Sequence, residues 1–199
     1  MLKRIVVVGC LVAVVAAVAG AEELAVGAVA PAFSLVSAVD GKQVSFAPKD
    51  GKLKAVIFTC NQCPYAKAFE DRIVSLGREY GQKGVVFYAI DPNDDRQYAV
   101  ETMDNMKQRA TAKSYPFPYL KDGDSTVAAS YGARVTPHVF LVDGSGLVVY
   151  RGYVDDSAKP EQRAHTGLGD ALDSVLARQP VKVTSTRAFG CSIKWKKQG

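Results

Sequence analysis

Two cysteines separated by two residues, in Cys60-Asn61-Gln62-Cys63-Pro64, can interconvert between a dithiol and a disulfide. The apolar run Ala55-Val56-Ile57-Phe58 ahead of them has the length and β-branched content of a buried strand, and the segment after them has helical spacing. A C-x-x-C at such a junction is expected to put Cys60 at the helix start, where unpaired N–H groups and the helix dipole favour a thiolate. Thiolate is the reactive form, so Cys60 is the predicted nucleophile and Cys63, nearly one turn further in, the predicted resolving thiol. Asn61 and Gln62 carry no charge and do not set the redox direction. Three other uses of the pair compete. A structural disulfide would close a very small loop and stabilise little. Zinc would need a second ligand pair, and only Cys191, His138 and His165 are on offer, at irregular spacing. Copper held by Cys60, Cys63 and His138 suits soft-ligand preferences better. The redox reading requires no metal and no cofactor.

A second segment, Val135-Thr136-Pro137-His138-Val139-Phe140-Leu141-Val142-Asp143, resembles the strand of thioredoxin-like proteins that opens on a cis-proline facing the active-site cysteines. A cis bond at Pro137 is permitted at modest cost. The resemblance implies that Thr136 and Pro137 form a substrate ledge, with Thr136 pairing to an incoming extended peptide; the alternative is a trans proline opening an ordinary strand. His138 reads as a base, a ligand or a polar strand-end residue, and His165 as a surface residue of the last helix.

The first residues read as an export signal: Lys3 and Arg4, an apolar run over 5–18, then Ala19-Gly20-Ala21 as a cleavage site. That run is shorter than the about 20 residues that span a bilayer, so cleavage rather than stable membrane insertion is expected, and the destination is periplasmic or secreted. Maturation discards Cys10, Lys3 and Arg4, reducing the formal net charge of +5 by two. The remaining charge is dispersed, and with one Trp and no aromatic-basic interleaving, nucleic-acid binding has little support. Exported compartments permit disulfides. Cys60, Cys63 and Cys191 are then left, an odd set that structural bridges cannot use up, so Cys191 is a candidate third redox thiol, pairing transiently with Cys60 or Cys63.

Around these residues the chain alternates. Ala30-Pro31-Ala32-Phe33-Ser34-Leu35 and Lys42-Gln43-Val44-Ser45-Phe46 flank Asp40-Gly41 as a hairpin. A strand over 54–59, an amphipathic helix over 64–80, a strand over 85–90 and a helix over 97–113 follow. Pro116-Phe117-Pro118-Tyr119-Leu120 is expected on a sheet edge or in a loop. A short helix over 125–131, a second hairpin turning at Gly144-Ser145-Gly146, and a helix over 160–177 complete the pattern, and the tail from 179 has no clear periodicity. This order predicts an α/β fold with a mixed central sheet flanked by helices. The expected divisions are a signal peptide at 1–21, one domain at 22–178 and a tail at 179–199.

With these motifs in place, the chain resembles the thioredoxin-like redoxin and thiol-specific-antioxidant (AhpC-TSA) superfamily. More narrowly, it is similar to bacterial redoxin-domain proteins labelled thiol-disulfide isomerase or peroxiredoxin-like. The blocks are Phe58-Thr59-Cys60-Asn61-Gln62-Cys63-Pro64-Tyr65, Asp91-Pro92-Asn93-Asp94, Pro116 to Leu120, Thr136 to Phe140, and Gly190-Cys191-Ser192-Ile193-Lys194-Trp195. The resemblance implies thiol-disulfide exchange with protein or small-molecule disulfides and thiols, and a redox partner. Thiol peroxidase is the alternative, but the pattern P-x-x-x-T-x-x-C is absent: Thr59 abuts Cys60 and the run 54–58 lacks proline. The strand before Cys60 also lacks the acid that thioredoxins use to move the resolving proton, leaving water, Glu70 or Asp71 as substitutes.

Overall fold

The computed structural model describes residues 22–196; the expected signal at 1–21, with Cys10, lies outside the described residues. The N-terminal hairpin forms as predicted from β1 (Phe33–Ser37) and β2 (Gln43–Phe46), with Phe33 opposite Phe46. At its turn Gly41 takes a φ of 72°, a region that glycine enters without steric cost.

Strand β3 (Lys54–Phe58) is buried along its whole length. Its side chains alternate between two cores, as the period of two requires. Ala55 and Ile57 face Phe69, Ile73 and Val74 of helix α1 (Pro64–Gly81). Val56 and Phe58 face Phe46, Tyr131 and Phe140 on the other side. Within α1, Gly77 lets Phe117 lie against the helix, where an added Cβ would sit 2.5 Å from the ring. That ring is wedged between Phe87 and Tyr115, with centroids 5.9 and 5.1 Å away. Gly77→Ala is therefore expected to destabilise by about 1–3 kcal/mol through overpacking, outweighing alanine's better helix propensity. Chemical denaturation of the two proteins checks this.

Strand β4 (Val86–Asp91) runs parallel to β3. The single helix expected over 97–113 is instead a 3-10 turn at Ala99–Glu101 followed by α2 (Met103–Ala112), because Thr102 between them is extended, with ψ of 154°. Strand β5 (Tyr119–Lys121) then corrects another expectation: it pairs with both β1 and β4 in the sheet interior. Pro116 and Pro118 both precede it, so neither removes a donor from its ladder, and the Pro118 carbonyl accepts the Ala89 N–H at 3.2 Å.

After α3 (Thr126–Ser130) come β6 (Val135–Thr136), β7 (His138–Val142) and β8 (Val148–Gly152). The seven-stranded mixed sheet has the order β2-β1-β5-β4-β3-β7-β8. The last helix, α4 (Gly167–Leu176), is shorter than predicted: after a 3-10 turn at Pro160–Gln162, Arg163 is extended with ψ of 123°. The Asp156 carboxylate accepts the N–H groups of Ala164 and His165 at 3.0 and 3.1 Å, holding His165 in an exposed loop. The tail folds back along the outer side of β8, where Arg151 N–H meets the Thr184 carbonyl and Thr186 N–H meets the Arg151 carbonyl, both at 3.0 Å. It ends in β9 (Cys191–Ser192), which pairs antiparallel with β6.

Candidate active site

The chain leaves β3 at Phe58 and reaches α1 six residues later, so the C-x-x-C segment is the connection itself. The residue before a proline is excluded from helical geometry by the pyrrolidine ring. Cys63 accordingly has φ of −62° and ψ of 124° and serves as the N-cap of α1, with Pro64 in the first turn. Its sulfur accepts the Ala66 N–H at 3.5 Å. The expected placement, Cys60 at the helix start with Cys63 a turn inside, does not form: Cys60 lies in the loop and Cys63 occupies the capping position.

The two sulfurs meet different surroundings. Cys63 Sγ accepts the Cys191 N–H at 3.4 Å as well as that of Ala66, and lies 3.2 Å from the Thr136 carbonyl. Cys60 Sγ lies 3.2 Å from the Thr136 hydroxyl. Hydrogen bonding by the Cys60 thiol, supported by Cys191 and the capping N–H groups against the cost of burial, lowers the Cys63 thiol to about 4. Cys60 moves the other way. Donating its proton to Cys63, burial and the nearby charge of Glu101 all raise it, against the Thr136 hydroxyl. Of the two sulfurs, Cys63 is the one whose charged form these surroundings favour. In the unfolded chain Cys63 keeps its proton up to about 9, so this group's contribution to stability rises with pH between about 4 and 9 and is lost as pH falls through 4. The rate of Cys63 alkylation by iodoacetamide, mapped by mass spectrometry, is expected to stay level below neutrality and to fall only near pH 4. A midpoint at the ordinary thiol value would contradict this charge assignment.

Glu101 was not singled out by the sequence. It is fully buried. Its carboxylate accepts the backbone N–H groups of Asn61 at 2.7 Å and Gln62 at 3.2 Å, together with the Asn93 amide at 3.1 Å. The Asn61 side chain completes the clamp, donating to the Val100 carbonyl at 2.7 Å and accepting from the Tyr119 hydroxyl at 3.1 Å. Beneath it, Lys121 Nζ bonds to the carbonyls of Asn93 and Glu101 and lies 3.5 Å from Asp91. Burial raises the Asp91 carboxyl, and Lys121 opposes that shift. Neither proposed substitute acid is in this position. Glu70 holds Arg109 in two bonds of 2.7 Å and accepts the Tyr115 hydroxyl; Asp71 is exposed and pairs with Lys113.

The Thr136–Pro137 peptide is cis, the form the family resemblance implied, and Thr136 touches both cysteines. Its backbone is already paired, since Thr136 faces Cys191 in the register of β6 and β9. His138 lies on the other core: it bonds to Glu23 at 3.1 Å and packs against Phe140. The three-residue copper set therefore does not converge, and among the described residues no group of three or more His, Cys, Asp or Glu side chains is placed to hold a metal ion.

Residues 26–151 match the model of the AhpC/TSA family. The chain belongs to that family. The chain is also similar to an uncharacterised conserved protein from Geobacillus kaustophilus, whose crystal structure is 38% identical over 89% of this chain and 96% of that one, with a TM-score of 0.83. The thiol:disulfide interchange protein DsbE of Pseudomonas aeruginosa is 27% identical, covering 67% of this chain and 71% of its own. The thioredoxin domain of a thiol-disulfide oxidoreductase from Bacteroides vulgatus, 23% identical with a TM-score of 0.55 over 78% of this chain and 98% of that one, bears out the thioredoxin-like fold of this AhpC/TSA chain.

Proposed function

We propose that this AhpC/TSA chain is an exported thiol-disulfide oxidoreductase in which Cys63 is the attacking thiolate and Cys60 the resolving thiol. The observation that carries the reading is the Cys63 sulfur at the cap of α1, held by two backbone N–H groups. The interchange activity named for the Pseudomonas aeruginosa relative supports it. Cys63 attacks one sulfur of a substrate disulfide, that S–S bond breaks, and the departing thiolate takes up a proton. Cys60 then loses its proton and attacks Cys63 Sγ, closing the Cys60–Cys63 disulfide and releasing the second substrate thiol. Two electrons pass from the protein dithiol to the substrate, and the reverse sequence oxidises a substrate dithiol.

Substrates on this reading are protein or small-molecule disulfides and thiols, and a redox partner resets the pair. Export rests on the three-part leader at 1–21. No helix of the described residues is long and apolar enough to cross a membrane. Residues 22–178 would carry the exchange chemistry and 179–199 the tail. Insulin reduction and refolding of a scrambled disulfide substrate, run beside hydrogen peroxide consumption, test the reading. Exchange of peptide disulfides that depends on both cysteines is expected. Peroxide turnover without disulfide exchange would replace the reading with a thiol peroxidase.

A further inference from the structure

We propose that Cys191 is a third redox thiol that accepts the disulfide from the buried pair, forming a bond to Cys63 and carrying oxidised sulfur to the surface of the tail. The proposal rests on the exchange chemistry assigned above to Cys60 and Cys63. Its basis is the way the chain is held on both sides of Cys191. Upstream, Phe189 packs its ring against Tyr65, Phe69 and Tyr153, with centroids 5.9, 5.6 and 6.2 Å away. Downstream, Ile193 is buried and its N–H meets the Arg134 carbonyl at 3.0 Å, while Lys194 N–H reaches the Asn93 side chain at 2.8 Å. Between these anchors Gly190 takes a φ of 155°, and its backbone runs so close to the Thr136 carbonyl that any Cβ would collide with it. A residue with a side chain would hold the strand away; glycine brings Cys191 onto the Cys63 sulfur, where both its N–H and its thiol make hydrogen bonds.

Accessibility gives the arrangement a use. Cys60 and Cys63 are 3% and 1% exposed, whereas Cys191 is partly exposed. β9 also lies along Thr136, the residue that an incoming extended peptide would use. A partner approaching the closed site therefore meets Cys191 first. Charge orders the steps. Burial, and then the hydrogen bond and charge of Cys63, push the Cys191 thiol up to about 11, with Lys194 opposing. Once Cys63 is in a disulfide its charge is gone and Cys191 ionises more readily. Cys191 then attacks Cys63 Sγ, the Cys60–Cys63 bond breaks, the Cys63–Cys191 bond forms, and Cys60, as it leaves, takes up the proton that Cys191 gives up. No net oxidation occurs in this step; the oxidising equivalents come from the substrate disulfide that first oxidised the pair.

The test is disulfide mapping of the whole mature protein. Protein treated with oxidised glutathione is quenched with N-ethylmaleimide and digested without reduction. The expected product is a Cys63–Cys191 linked peptide with Cys60 alkylated, found beside the Cys60–Cys63 form. The same link is expected in Cys60→Ser, where Cys63 has no other neighbouring thiol. A Cys60–Cys63 disulfide with Cys191 recovered only as its alkylated thiol would overturn the third-thiol role and leave the exchange reading standing. No disulfide at either position, with no insulin reduction, would overturn both.

Discussion

Cys63→Ser is expected to lower peptide-disulfide turnover by at least about a thousandfold, the scale on which loss of a covalent nucleophile acts. Serine keeps the capping geometry, because its hydroxyl can accept the Ala66 N–H, so folding is expected to survive. What it lacks is a sulfur that holds charge at neutral pH. Cys60→Ser separates the two roles. Its Cys63 still makes the first attack, so a burst of substrate thiol is expected, with Cys63 recovered as the mixed disulfide or, once that is resolved, linked to Cys191. Cys63→Ser is expected to give no burst, because Cys60 is held protonated by burial and the nearby Glu101 charge. A burst in Cys63→Ser and none in Cys60→Ser would restore the order that the C-x-x-C spacing alone suggested.

Glu101→Ala is the substitution outside the cysteines with the largest expected cost, about 3–5 kcal/mol. It removes a buried carboxylate that accepts from Asn61, Gln62 and Asn93, and leaves those donors without their acceptor. Denaturant midpoints measure the loss. Glu101→Gln keeps the shape and removes the charge, and is expected to cost less, about 1–3 kcal/mol, since one amide hydrogen now faces a donor. It has a second readout. The Glu101 charge is one of the groups raising Cys60, so Glu101→Gln is expected to lower the Cys60 thiol and speed its alkylation at fixed pH. An unchanged Cys60 rate in a folded Glu101→Gln protein would remove Glu101 from the electrostatics of the pair and leave it as a loop clamp.

The parts of this site written in local patterns were legible in the sequence. Ala55-Val56-Ile57-Phe58 announces a buried strand by composition, and the spacing of Phe69, Ile73 and Tyr80 announces one face of α1. Thr136-Pro137 announces the cis peptide through its family form. Pro64 also carries the information that Cys63 is extended, through what its ring forbids in the residue before it. Glu101 had no such local mark. Its contacts are with Asn61 and Gln62, some 40 positions away, and a solitary acid in a polar stretch looks the same whether it faces water or a buried amide. The interior position of β5 was hidden because its two prolines suggest an edge, whereas they lie just outside the paired residues. The tail lacks periodicity since its anchored residues, among them Thr184, Thr186, Phe189 and Ile193, meet different neighbours and share no common face.

That tail has a consequence for the solubility of the molecule. Strand β8 ends the sheet, and a bare outer strand offers its N–H and C=O groups to any other extended chain. Here the segment around Thr184 and Thr186 takes up the outward N–H and C=O of Arg151, and the same stretch of polypeptide continues to the cysteines. Cutting the chain ahead of Thr184 to open the cysteines to large substrates would therefore also strip the border of β8 and invite copies of the protein to stick together. Substitutions within 189–193 would loosen the cover over the sulfurs while leaving that border sealed.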